Sequence, residues 1–108
     1  MKTISREQVK EKINSNDNVV VIETLDPKYY NKFHLPDAIN IPLDDRFDEQ
    51  VKQKVPDRKT PVIVYCMDKE CDASPKAAKR LDELGYEHVF DYEEGKVDWK
   101  EAGEKIES

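Results

Sequence analysis

Two cysteines, Cys66 and Cys71, stand five positions apart, and Cys66 closes the run Pro61-Val62-Ile63-Val64-Tyr65-Cys66. That apolar run reads as a buried strand delivering a thiol to a short polar loop. The segment Ser74-Pro75-Lys76-Ala77-Ala78 then reads as the start of a helix, with Ser74 as N-cap and Pro75 at the first position. Backbone N–H groups at a helix start lack intrahelical partners and carry partial positive charge, so they favour a thiolate or a bound anion. The thiolate is the nucleophilic form of cysteine, and a helix N-terminus is one place where its pKa falls. The chemistry this spacing suits is nucleophilic attack by Cys66. Cys71, in the same loop, can accept a group from Cys66 or close onto it as a disulfide where the two Cα atoms come within about 7 Å.

The elements that must position this loop follow from patterning. Ser5 with Gln8 three residues on is a capping-box pattern, and Ile4, Val9 and Ile13 give a helix over 6–14 one apolar side. Residues 14–18 form the turn that ends it. Val19-Val20-Val21-Ile22 suits a parallel strand covered on both faces, followed by a polar loop through Pro27 and Tyr29-Tyr30. Ala38 to Ile41 is a second short strand and 44–53 a short helix with Phe47 and Val51 on one side. After the strand at 62–65 comes a helix from Pro75 to Leu84, with Gly85 just past its end. Val89-Phe90 is a fourth strand, and Val97 to Ala102 a last helix around Trp99. Strands alternating with helices predict an α/β fold: a central, mainly parallel sheet flanked by helices on both faces, in one domain over 1–108.

Composition narrows the functions. Charged residues make up 39% and apolar residues 37%, and the net charge of −6 argues against a nucleic-acid partner, which requires a basic face. No segment approaches the roughly 20 apolar residues of a membrane span, so no membrane partner is expected. The polar start Met1-Lys2-Thr3-Ile4-Ser5-Arg6 predicts no signal peptide. No His or Cys pair stands at zinc-ligand spacing, so neither metal nor cofactor is expected, and two cysteines of this kind suit a reducing cytoplasm.

In an open parallel sheet, ligands bind beyond the carboxyl ends of the strands, where Cys66 would sit. At this point the chain resembles the rhodanese-like family, over nearly its whole length. Phe33-His34-Leu35-Pro36-Asp37-Ala38-Ile39-Asn40-Ile41-Pro42 is similar to the family's His-Ile-Pro-Gly-Ala-Ile-Asn-Ile-Pro signature. Val62 to Cys66 resembles its strand ending in the active cysteine, and Ser74 with Ala77-Ala78 the start of its post-loop helix. Gly85-Tyr86, Val89, Glu94-Gly95-Lys96-Val97-Asp98-Trp99 and Ala102-Gly103 resemble its C-terminal segment. The resemblance implies sulfur transfer: a cysteine takes the outer sulfur of a donor, thiosulfate or a persulfide, holds it as a persulfide and passes it to a thiol or cyanide-like acceptor. It implies Cys66 as nucleophile and the amides of residues 67–73 as an anion cradle, within an active-site loop of Met67, Asp68, Lys69, Glu70, Cys71, Asp72, Ala73 and Ser74.

The loop departs from the family pattern. It is longer than the usual form and has neither the Gly nor the Arg, and Ala73 stands where the Arg would be. Asp68, Glu70 and Asp72 face one lysine, Lys69. Without the planar fork of an arginine, phosphoesters and thiosulfate are poor ligands, and a persulfide is the better donor. The carboxylates would raise the Cys66 pKa, against the helix start. Cys71 is a candidate resolving thiol. Glu23 and Leu25 replace an Asp and an Arg often found in the family after the first strand. His34 is read as ordering a turn, His88 as solvated, Asp26 as a loop cap near the pocket, and Trp99 as a core or docking aromatic. Tyr29, Tyr30 and Phe33 either pack or rim the site. Two other readings stay open: a module of this fold that docks a protein partner through the loop with little catalysis, and a redox protein cycling a Cys66–Cys71 disulfide.

Overall fold

The computed structural model describes residues 1–15 and 18–108. Asn16 and Asp17, part of the turn expected at 14–18, lie outside the described residues. In chain order the elements are β1 (Lys2–Thr3), α1 (Arg6–Ser15), β2 (Val20–Glu23), α2 (Pro27–Tyr30), β3 (Ile39–Asn40), α3 (Phe47–Lys54), β4 (Val62–Tyr65), α4 (Ala73–Glu83), β5 (Val89–Tyr92) and α5 (Gly95–Glu101).

The five strands form one sheet in the order β1-β5-β4-β2-β3, with every pair parallel. Each strand is short, so side-chain alternation sorts the core into two layers. Ile22, Val62, Val64 and Val89 pack with Phe47 and Val51 of α3 and Ala77, Ala78 and Leu81 of α4. On the other face Val21, Ile63, Tyr65 and Tyr92 pack with Val9 of α1, Leu35 and Trp99 of α5. The α/β fold with helices on both faces is therefore as expected. Register aligns the carboxyl ends: Glu23 lies opposite Tyr65, and Tyr65 opposite Tyr92. The chain leaves β2 for β3 on one side and returns to β4 on the other, so the topological switch lies at the β2–β4 boundary, beside Cys66.

Three elements differ from expectation. β1 lies in the polar start, where no strand is expected; its two residues are exposed and pair with Phe90 and Asp91 through the backbone, leaving no apolar signature. β5 runs past Phe90 to Tyr92, because a strand paired on both sides holds its backbone even where Asp91 interrupts the apolar pattern. The polar loop at Pro27 contains a helical turn, with Asp26 at the N-cap position and proline at its start. The capping box of α1 is present as expected: the Gln8 N–H donates to Ser5 Oγ at 3.2 Å and the Ser5 N–H to Gln8 Oε1 at 2.9 Å.

One charged pair crosses the apolar layer. Lys96 and Glu23 are 1% and 0% exposed, with Nζ 3.0 Å from Oε2. The ammonium also donates to the carbonyls of Tyr29 at 2.7 Å and Phe33 at 2.8 Å. The Tyr65 hydroxyl donates to Glu23 Oε1 at 2.9 Å and accepts the Leu35 N–H at 3.2 Å. All three ammonium protons and both carboxylate oxygens are thus used, the condition under which a buried pair is tolerated. Lys96→Met leaves Glu23 buried and uncompensated and is expected to cost about 3–5 kcal/mol, and the double variant Glu23→Leu/Lys96→Met to recover a substantial part. Urea unfolding of the wild type and the two variants measures both differences.

Candidate active site

Cys66 leaves β4 at the carboxyl edge of the sheet, and its first two peptide groups are held by α5. The Lys96 N–H donates to the Cys66 carbonyl and the Val97 N–H to the Met67 carbonyl, both at 3.0 Å. Gly95, at φ +77°, makes this approach possible: a Cβ there would sit 2.5 Å from the Met67 carbonyl oxygen.

The loop then folds on itself. The Cys71 N–H donates to the Asp68 carbonyl at 3.2 Å and the Glu70 N–H to Asp68 Oδ1 at 3.1 Å. The anion cradle expected from the amides of 67–73 is therefore partly filled by Asp68 itself. Lys69 pairs with Glu94 at 3.0 Å and Asp72 with Lys76 at 2.9 Å, while Glu70 is exposed. The loop also ends earlier than expected. Asp72 is at the N-cap position of α4, and Ala73 and Ser74 lie in its first turn. Ser74 does not cap the helix because its hydroxyl is turned inward, 3.5 Å from Cys66 Sγ.

Cys66 is 1% exposed, and its Sγ lies 3.5 Å from both Ser74 Oγ and the Cys71 carbonyl, the two acceptors within reach of its single proton. Burial pushes its pKa up to about 12, with the Cys71 side chain adding to the rise and the Ser74 hydroxyl and amide opposing it. The effect of the helix start is present but smaller than burial. The opposition expected from the loop carboxylates is instead supplied by desolvation. Cys71 is half-buried, and both cysteines are free thiols.

Two clefts flank the loop. One, of about 340 Å³, brings Thr24, Asp26 and Tyr29 to Asp72, Ala73 and Lys76. The other, of about 270 Å³, is lined by Asp68, Lys69, Glu70, Glu94, Asp98 and Glu101. Neither is lined by Cys66, which lies beneath the loop. Asp26 borders the first cleft and stands at the N-cap position of α2, but its side chain makes no capping bond, contrary to the cap expected; Tyr29 lies on the rim. His34 pairs its backbone with Glu107 and packs its ring on Tyr30, with centroids 4.0 Å apart. Burial lowers the His34 pKa. His88 is exposed. Trp99 is a core residue whose Nε1–H donates to the Lys105 carbonyl at 2.8 Å.

A sequence profile of the rhodanese-like domain matches residues 5–102. The chain belongs to the rhodanese-like domain family. It is 40% identical over 63 residues to the thiosulfate sulfurtransferase PspE of Escherichia coli, a match covering 58% of this chain and 58% of PspE. Among solved structures, the BH2092 protein of Bacillus halodurans superimposes with a TM-score of 0.88 at 22% identity, covering 99% of this chain and 77% of that one. The rhodanese-like domain of the Anabaena Alr3790 protein gives 0.86 at 20% identity, covering 100% and 80%. A thiosulfate sulfurtransferase from Pseudomonas aeruginosa gives 0.84 at 27% identity, covering 98% of this chain but 20% of that one. These likenesses establish a rhodanese-like fold and a relation to sulfurtransferases.

Sequence reasoning passed over three buried polar residues near this loop. Lys96 stood unremarked inside the C-terminal motif, Glu23 was noted only as a replacement, and Asp91 fell beyond the expected end of its strand. The signal for Asp91 was a lone carboxylate between Phe90 and Tyr92. The burial of Cys66 sets a testable order of reactivity. At neutral pH a maleimide is expected to label Cys71 well before Cys66, and the two at similar rates in denaturant, as followed by peptide mapping.

Proposed function

We propose that this rhodanese-like domain is a sulfurtransferase or persulfide carrier in which Cys66 holds the sulfane sulfur. The observation that carries the reading is the placement of Cys66 at the carboxyl end of β4, with the hydroxyl and amide of Ser74 both favouring its thiolate. The thiolate attacks the outer sulfur of a donor persulfide. A new S–S bond forms as the old one breaks, and the donor thiolate leaves with the electron pair. An acceptor thiolate then attacks the outer sulfur and releases Cys66 as thiolate, so no external oxidant or reductant is needed. The loop must shift before a donor reaches a thiol that is 1% exposed.

The loop chemistry favours a low-charge persulfide over thiosulfate, since Ala73 faces the 340 Å³ cleft where an arginine would grip a dianion. In this reading Cys71, five residues on in the same loop, takes the sulfur onward; the proximity of its backbone carbonyl, 3.5 Å from Cys66 Sγ, supports it. A thiol acceptor and a reducing cytoplasm fit two unpaired cysteines. The rival reading is a binding module with an inert cysteine, and the burial of that cysteine favours it.

Intact-mass spectrometry after brief exposure to a low-molecular-weight persulfide or to thiosulfate separates them. The wild type is expected to gain one sulfur atom from the persulfide, and Cys66→Ser none. Cys71→Ser is expected to retain the sulfur longer once acceptor is added. Ala73→Arg is expected to raise loading by thiosulfate about tenfold, the worth of one charge-assisted hydrogen bond. No gain in wild type from either reagent, with both thiols reduced, would favour the binding module.

A further inference from the structure

The cleft beside Ala73 combines apolar walls with charge of both signs. Leu25 and Leu43 supply the half-buried apolar part, and Asp26, Asp72 and Lys76 the charge. Asp26 is exposed, and no capping bond and no ion pair among the described residues engages its carboxylate. Lys76 is held by the exposed Asp72 at 2.9 Å, a pair weak enough to exchange with a competing anion. On the rim, the ammonium groups of Lys28 and Lys32 stand over the ring of Tyr29 at 5.0 and 5.9 Å.

The cleft adjoins the nucleophile. Thr24, in its lining, donates its N–H and its hydroxyl to the Tyr65 carbonyl at 3.1 and 3.2 Å, and the peptide bond of that carbonyl leads into Cys66. Ala73, also in the lining, is followed by Ser74, whose Oγ lies 3.5 Å from Cys66 Sγ. At about 340 Å³ the cleft falls at the small end of ligand sites.

We propose that this cleft selects an amino-acid-type persulfide, a donor with an ammonium and a carboxylate beside its sulfur chain, Asp26 holding the ammonium and Lys76 the carboxylate. A dianion such as thiosulfate meets two carboxylates and one lysine there and finds no arginine fork. A purely cationic donor meets Lys76 together with the lysines on Tyr29. A zwitterionic head has a partner for each of its charges and carries no net charge of its own. In such a donor one short side chain joins the charged head to the sulfane sulfur, so head-group site and nucleophile must be neighbours, as this cleft and Cys66 are. Asp26 and Lys76 take no part in the bond exchange; they position the donor and set its class.

The inference rests on Cys66 as the sulfur acceptor, and its test separates donor choice from transfer. Freshly generated persulfides of cysteine, cysteamine and 3-mercaptopropionate carry both charges, the ammonium alone and the carboxylate alone. Loading of Cys66 is followed by intact mass against donor concentration at low salt, in the Cys71→Ser background. The donors differ in intrinsic reactivity, so each variant is compared with its parent donor by donor. Asp26→Asn keeps the side-chain shape and the N-cap preference, so the fold is retained. It is expected to slow second-order loading from the cysteine and cysteamine persulfides about fivefold, the scale of one exposed ion pair, and to spare the mercaptopropionate persulfide. Lys76→Gln is expected to slow the cysteine and mercaptopropionate persulfides by a similar factor and to spare that of cysteamine. Asp26→Glu, which keeps the charge, is expected to stay near the parent. Both selective losses are expected to shrink at about 0.5 M salt. Variants that slow all three donors alike, or none of them, would overturn the selection while leaving the transferase reading in place. A parent that loads from none of the three removes the transferase reading and the donor choice with it.

Discussion

The candidate site depends on an ion pair that never meets water. Lys96 joins α5 to Glu23 at the end of β2 and to two carbonyls in the segment between β2 and β3. Tyr65, the last residue of β4, completes the group. One cation therefore fixes α5, the segment carrying Tyr29 and Phe33, and the adjoining ends of the two central strands. Hydrophobic burial is non-directional and would leave these parts free to slide. A fully satisfied buried pair admits a single arrangement, and Cys66 is the residue after Tyr65.

That arrangement leaves a thiol poorly disposed to ionise. The helix start and Ser74 favour thiolate, burial opposes it more strongly, and the resting loop closes over the sulfur. A rhodanese-like site of this kind is guarded. Its cysteine is protected from adventitious oxidants and alkylating agents by the same desolvation that slows its chemistry. The acidic loop extends the effect to anions: Asp68 occupies amides that would otherwise face a ligand, and no arginine replaces what they would give.

The sequence displayed the parts of this fold that depend on repeated apolar choices. Val62 to Tyr65 was legible residue for residue because every position is buried, and α1 because Ser5 and Gln8 cap it reciprocally. β1 was not, because a two-residue exposed edge strand is held by its backbone alone. Cys66 and its loop were legible from residue type, order and family likeness. The inward turn of Ser74 was not, because a serine before Pro75 is an N-cap by local rules, and only the neighbouring thiol diverts it. The pairing of Glu23 with Lys96, far apart in the chain, leaves no local trace until the fold brings them together.

The contact of α5 with the first turn of the loop has a mechanical consequence. The carbonyls of Cys66 and Met67 are pinned by the amides of Lys96 and Val97, with Gly95 in close approach, whereas Asp72 at the far end is held to Lys76 by an exposed pair. At that far end the Lys76 N–H also donates to the Asp72 carbonyl at 3.3 Å, so the loop is tied to a helix at each end. An opening that admits a donor would have to rearrange the exposed middle, Lys69 and Glu70, while the nucleophile's own carbonyl stays pinned.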